Sequence, residues 1–336
     1  MNPDRKRWLV TGVKIVLALV ILFFVGWQFQ GDLAKLDLNW STIVAGEPGQ
    51  NDLTLRPGWL LASGAIYLLG IFNGAWFWRH LLTLFGYPIS LYAAIRAQYV
   101  GQLGKYVPGK AMAVAIRAEL VHPDGVPYGV SIIASFYEVF TGMAAGAIVA
   151  AIIYMIDPPG ELGLGWHPLA IGAALIGLCG IPLLPGVFNF VIARLTAKIQ
   201  AIELYRLPPV GFGTLAAGLA TASVGWCLQG LGVWALLQAV LPQPPEFTLA
   251  AWAQCTASMA FANVAGFVVV VAPGGLGVRE YLLSILLSSF GPPEYIKAAA
   301  ILLRIDWIVA EALFAGAVYW LKPAGERSEL TGSEPQ

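Results

Sequence analysis

Long apolar runs alternate along the chain with short polar stretches, and the length of each run sets the first expectation. A helix needs about 20 predominantly apolar residues to cross the hydrocarbon core of a bilayer. Runs of that kind occupy 8–29, 59–78, 130–156, 168–184, 210–241, 249–272 and 298–321. Between the last two lies 278–290, apolar but shorter, which reads either as a half-spanning re-entrant helix or as a compressed eighth span. The pattern predicts an all-α fold: a polytopic membrane helix bundle of seven to eight spans, with one or two broken or re-entrant helices. The first run follows Arg5, Lys6 and Arg7, as a signal peptide would. It outlasts a signal's apolar core and no A-x-A cleavage pattern closes it, so it reads as a retained anchor.

Composition strengthens this picture. The chain is 58% hydrophobic and 11% charged, against roughly 45–50% and about 25% in soluble domains. A formal net charge of zero gives no sign of the basic patch or stripe of a nucleic-acid binder. Cys179, Cys227 and Cys255 lie inside apolar runs without C-x-x-C spacing, and His80, His122 and His167 are scattered. Neither a metal nor another cofactor is expected. Lysine and arginine collect at Arg5–Arg7, from Arg79 through Arg96, Lys105 and Lys110 to Arg117, and at Arg194, Lys198 and Arg206. Those segments are expected on the cytoplasmic side, which places the N-terminus there. The polar residues after Lys322 are expected to be disordered.

One stretch invites a nucleotide reading. GKYVPGKA, Gly104 to Ala111, has the Gly-x4-Gly-Lys spacing of a phosphate loop. That motif needs a hydroxyl after the lysine and a strand before the first glycine. Ala111 occupies the hydroxyl position and 97–103 does not read as a strand, so no nucleotide is expected.

The same stretch belongs to a pair. Pro108-Gly109 precedes Arg117 and Glu119, and Pro273-Gly274 precedes Arg279 and Glu280, a weak internal repeat. Gly/Pro-interrupted elements in corresponding halves are a pointer to transporter sites, where broken helices expose backbone groups to a polar substrate. The alternative is a pair of interfacial loops with snorkelling basic residues. Charges inside the spans bear on the choice: Glu138 in the third, and Arg304, Asp306 and Glu311 in the last. Each costs about 2.5–3.5 kcal/mol at a helix centre and calls for a partner or a cavity. Arg304 and Asp306, two positions apart, do not face each other on a helix. Arg117 or Arg279 is the expected partner of Glu138.

GKYVPGKAMAVAIRAEL and APGGLGVREYLL resemble the two signature segments of the lysylphosphatidylglycerol synthase transmembrane-region family, the flippase-like membrane proteins. Glu138 matches the acidic position of the family's third span, while Val139 and Gly142 depart from its Glu-Arg and following Asp. The resemblance implies one flippase-like transmembrane domain over 1–325 with a disordered tail over 326–336, and no soluble aminoacyltransferase. It implies a stand-alone lipid translocator, not an enzyme, multi-pass in the cell's inner membrane, with a membrane lipid as partner. Arginine suits a headgroup phosphate because its fork binds bidentately. Arg117 and Arg279, with Lys105 and Lys110, are the expected contacts, and Glu119, Glu138 and Glu280 would hold the arginines when the site is empty. Arg304 and Asp306 join them from the last span. Gly101, Gly104, Gly109, Gly274, Gly275 and Gly277 would allow close backbone approach, and Pro108 and Pro273 would break their helices. Without a phosphate loop, transport would be downhill or ion-coupled, with Glu138 or Asp306 as proton carrier. The alternative is a membrane transferase acting on a lipid-linked or isoprenoid substrate, although the cytoplasmic loops hold no D-x-x-D for its metal.

Overall fold

The computed structural model describes residues 55–106, 111–158, 168–199, 207–268 and 278–320. Ten α-helices run through them: α1 Pro57–Leu84, α2 Leu91–Gln102, α3 Ala111–Val121, α4 Tyr128–Ile156, α5 Pro168–Gly180, α6 Pro185–Ile199, α7 Phe212–Val240, α8 Leu249–Val268, α9 Val278–Leu286 and α10 Pro293–Trp320. No strand occurs among the described residues. The expected first span, 8–29, lies outside them, as do Pro108, Gly109, Lys110, Pro273, Gly274, Gly275 and Gly277.

Small residues seat α1 and α7, the helix pair in most extensive contact, against each other. A Cβ on Gly225 would lie 2.8 Å from the Gly70 carbonyl oxygen, and one on Gly232 would lie 3.3 Å from that of Ser63. Gly218 meets the ring of Phe77 in the same way. Each step of seven residues along α1 matches a step of seven back along α7, so the helices run antiparallel with a 3.5-residue seam. That period is the one that favours a shallow left-handed crossing, and close small-residue contact is what holds helices together where lipid is as apolar as leucine.

Proline explains the next feature. α5 and α6 form a bent pair, with 56° between 173–183 and 185–194. Pro182 interrupts the ladder and Pro185 forces Leu184 out of the helical region, to φ −54° and ψ 128°. Among the described residues three helices, α1, α4 and α7, are long and apolar enough to cross a membrane by themselves, or four spans if the bent pair is one.

Both interrupted segments fold back on themselves. A Cβ on Gly104 would lie 2.7 Å from the Cα of Ala113, and one on Gly101 would lie 3.2 Å from the Ala113 carbonyl oxygen and 2.7 Å from Cγ of Arg117. Position rises on α2 as it falls on α3, so the two helices form an antiparallel hairpin. α8 and α9 flank the second Pro-Gly segment and also pack against each other. The segment 278–290 is a nine-residue helix followed by a single 3-10 turn, Ser288–Phe290. At about 1.5 Å per residue the helix is too short to cross a bilayer.

Candidate functional site

The two hairpins deliver their arginines to one cavity of about 530 Å³, walled by α1, α2, α3, α4, α7, α8, α9 and α10. Lys105, Arg117, Glu138, Arg279 and Arg304 are its charged wall residues. Gln98, Gln102, Asn73 and Gln229 add neutral amides, and Phe136, Phe140, Met143, Trp226 and Phe267 add apolar surface.

Three of the four cations are tied to carboxylates. Arg117 Nη1 donates to Glu138 Oε2 at 2.8 Å, joining α3 to α4, with both side chains nearly buried. Two glycines make room for this pair: a Cβ on Gly101 would strike Arg117, and one on Gly74 would lie 2.7 Å from both Glu138 Oε1 and Gln98 Nε2. Arg304 Nη1 donates to Glu280 Oε1 at 2.7 Å, joining α10 to the first turn of α9. An acidic group there also sits favourably at the helix's positive end. Lys105 Nζ donates to Glu311 Oε1 at 2.5 Å. Glu311 is fully buried and accepts two further bonds, from the Tyr67 hydroxyl and from the Tyr106 hydroxyl at 2.8 Å.

Arg279 forms no salt bridge among the described residues, although its charge also bears on the adjacent Glu280, which Arg304 holds. Its guanidinium lies 5.2 Å from the centroid of the Trp307 ring, and Trp307 stacks on Tyr67 at 3.9 Å. Its Nε and Nη2 are out of water and carry no hydrogen bond among the described residues. These two atoms form one edge of the guanidinium plane, the side-on fork that receives two oxygens of a phosphate or carboxylate. Arg117 Nε and Trp307 Nε1, also from cavity-lining residues, are unsatisfied donors as well. Each buried donor left without an acceptor costs about 1–3 kcal/mol. The cavity therefore carries a surplus of donors and, once Glu280 and Glu311 behind its wall are set against Arg304 and Lys105, of one positive charge, that of Arg279.

Set against the sequence, Glu138 pairs with Arg117 and not with Arg279. Arg304 and Asp306 face different partners, as their spacing requires. Asp306 is not on the cavity wall; its Oδ1 would lie 3.4 Å from a Cβ on Gly64 of α1. Glu119 holds no arginine: it is exposed and accepts from the Tyr128 hydroxyl at 2.9 Å. The turn of α3 that carries it points away from the cavity, two residues past Arg117. Lys105, an expected headgroup contact, lines the cavity and donates to Glu311. Among the described residues Gly104 makes the close backbone approach expected of it. Glu311, Tyr67, Tyr106 and Trp307 were not expected at the site, and the charge of Glu311 inside an apolar span was the available signal.

The family model described as Lysylphosphatidylglycerol synthase TM region matches residues 10–306. No curated protein matches the chain.

Proposed function

The chain belongs to the Lysylphosphatidylglycerol synthase TM region family, and from that membership, which ties it to membrane lipid metabolism, we propose that it moves an anionic lipid or lipid-linked intermediate across the inner membrane. The observation that supports this reading above others is Arg279: a cavity cation with an open bidentate edge and no salt bridge among the described residues. A polar headgroup crossing hydrocarbon needs a route lined by such groups, and helices broken near mid-membrane are a recurrent way to build one. In this reading the chain spans the membrane seven or eight times, with α9 as the short arm of a re-entrant hairpin and the N-terminus in the cytoplasm.

Transfer chemistry is less well supported. A carboxylate base must be free to take a proton at the site; Glu138, Glu280 and Glu311 each face a cation at 2.5–2.8 Å, and Asp306, which faces none among the described residues, lies off the cavity wall. Reconstitution tests the proposal. Liposomes containing a trace of anionic phospholipid labelled on an acyl chain are treated with dithionite, which bleaches only the outer leaflet. The native chain is expected to expose the inner-leaflet label to bleaching, and Arg279→Ala to return the signal to that of protein-free liposomes. Native protein indistinguishable from empty liposomes would sink the translocation reading.

A further inference from the structure

We propose that the cavity selects a headgroup bearing one net negative charge and no ammonium: a phosphodiester whose second alcohol is neutral and hydroxylated. This deepens the translocation reading and rests on it. The charge on the wall sets the valence. Lys105, Arg117 and Arg304 are neutralised by Glu311, Glu138 and Glu280, which leaves Arg279 as the surplus among the described residues. A phosphodiester brings one negative charge and two non-bridging oxygens to the Nε–Nη2 edge of Arg279, and balances it. A phosphomonoester carries about −1.5 to −2 near neutral pH. Its second charge would enter the cavity uncompensated, or would strip a glutamate of its cation.

An ammonium is disfavoured by the same pairing. Glu138 is the carboxylate on the described wall, and it is held by Arg117 at 2.8 Å. A headgroup amine that took Glu138 would leave the Arg117 side chain, 5% exposed, as an unpaired charge. What remains for the rest of the headgroup is neutral. Arg117 Nε and Trp307 Nε1 are donors without acceptors, and Asn73, Gln98 and Gln102 offer amides. Hydroxyls meet those groups without any change of charge.

Gly142 supplies the means to alter the balance. It lines the cavity on α4, and a Cβ there would meet nothing within 4 Å. Gly142→Asp therefore has room for its Cβ, adds one negative charge to the wall one turn from Glu138, and cancels the surplus charge.

The test uses the full chain in mild detergent, incubated with equal amounts of dioleoyl phosphatidylglycerol, dioleoyl phosphatidate and dioleoyl phosphatidylethanolamine. Lipid retained after size exclusion is quantified by mass spectrometry. The native chain is expected to retain phosphatidylglycerol about tenfold over each of the others, equivalent to about 1.4 kcal/mol. Arg279→Gln is expected to abolish the enrichment, and Gly142→Asp, eluting as the native protein does, to shift retention towards phosphatidylethanolamine. Phosphatidate or phosphatidylethanolamine retained by the native chain as well as phosphatidylglycerol overturns the valence rule while leaving the lipid site standing. If none of the three is enriched over its share of the mixture, the translocation site falls with it.

Discussion

Glu311 accepts from a lysine and two tyrosines, and these donors tie three segments of the chain to one carboxylate: α1 through Tyr67, the 3-10 turn Leu103–Tyr106 through Lys105 and Tyr106, and α10 through Glu311 itself. A buried ion pair is costly to break from one side because the orphaned charge stays behind. Glu311→Gln is accordingly expected to lower unfolding stability in detergent by about 3 kcal/mol. Adding Lys105→Met should recover much of that loss, since the lysine is then no longer stranded. Purely additive losses in the double variant would show that the pair does not act as a unit. Only part of this was legible beforehand. The in-span charges announced themselves because charge in an apolar helix has to be met, and the two-residue spacing of Arg304 and Asp306 excluded one pairing. The Lys105–Glu311 bond joins residues 206 positions apart, and no local pattern carries that distance.

At the scale of the helix, glycines decide which surfaces touch. The sequence reading took 210–241 as one apolar run and found α7 nearly to the residue, yet the seven-residue spacing of Gly218, Gly225 and Gly232 meant nothing until Ser63, Gly70 and Phe77 stood opposite. A stripe of small residues specifies a contact only together with its partner stripe. Pro and Gly break a helix whatever surrounds them, but the two Pro-Gly pairs that the sequence singles out lie outside the described residues. Gly225→Ala places a methyl 2.8 Å from the Gly70 carbonyl oxygen, a backbone atom that cannot rotate away. It is expected to destabilise by about 1–3 kcal/mol, the usual cost of overpacking. Gly213→Ala on the same helix meets nothing within 4 Å and should be neutral or stabilising by up to about 1 kcal/mol, since a helical glycine is replaced by a better helix former. Thermal unfolding of the two variants checks the seam, and equal midpoints would mean that α1 and α7 do not approach this closely.

The whole molecule is polar inside and apolar outside along its most charged helix, and this inversion explains why α10 is not among the apolar spans, while the expected span 8–29 lies outside the described residues. α10 has 28 residues, and at about 1.5 Å each it exceeds a hydrocarbon core of about 30 Å. It escapes a test by hydropathy because Arg304, Asp306 and Glu311 lie along it. Arg304 and Glu311 are buried, while Val309 and Leu313 on the other side are 44% and 71% exposed. A water-facing helix would turn its charges the other way. The exposed face is therefore expected to meet lipid. Single cysteines introduced at Leu313 and Trp320, after the native cysteines are replaced by alanine, separate the possibilities in sealed membrane vesicles. Leu313→Cys should resist a membrane-impermeant maleimide applied from either side, because its thiol sits in hydrocarbon. Trp320→Cys, at the helix end and 82% exposed, should react from one side alone, which also fixes the side on which the chain leaves α10. Ready labelling of Leu313→Cys in intact vesicles would place α10 in water and remove the last span from the bundle.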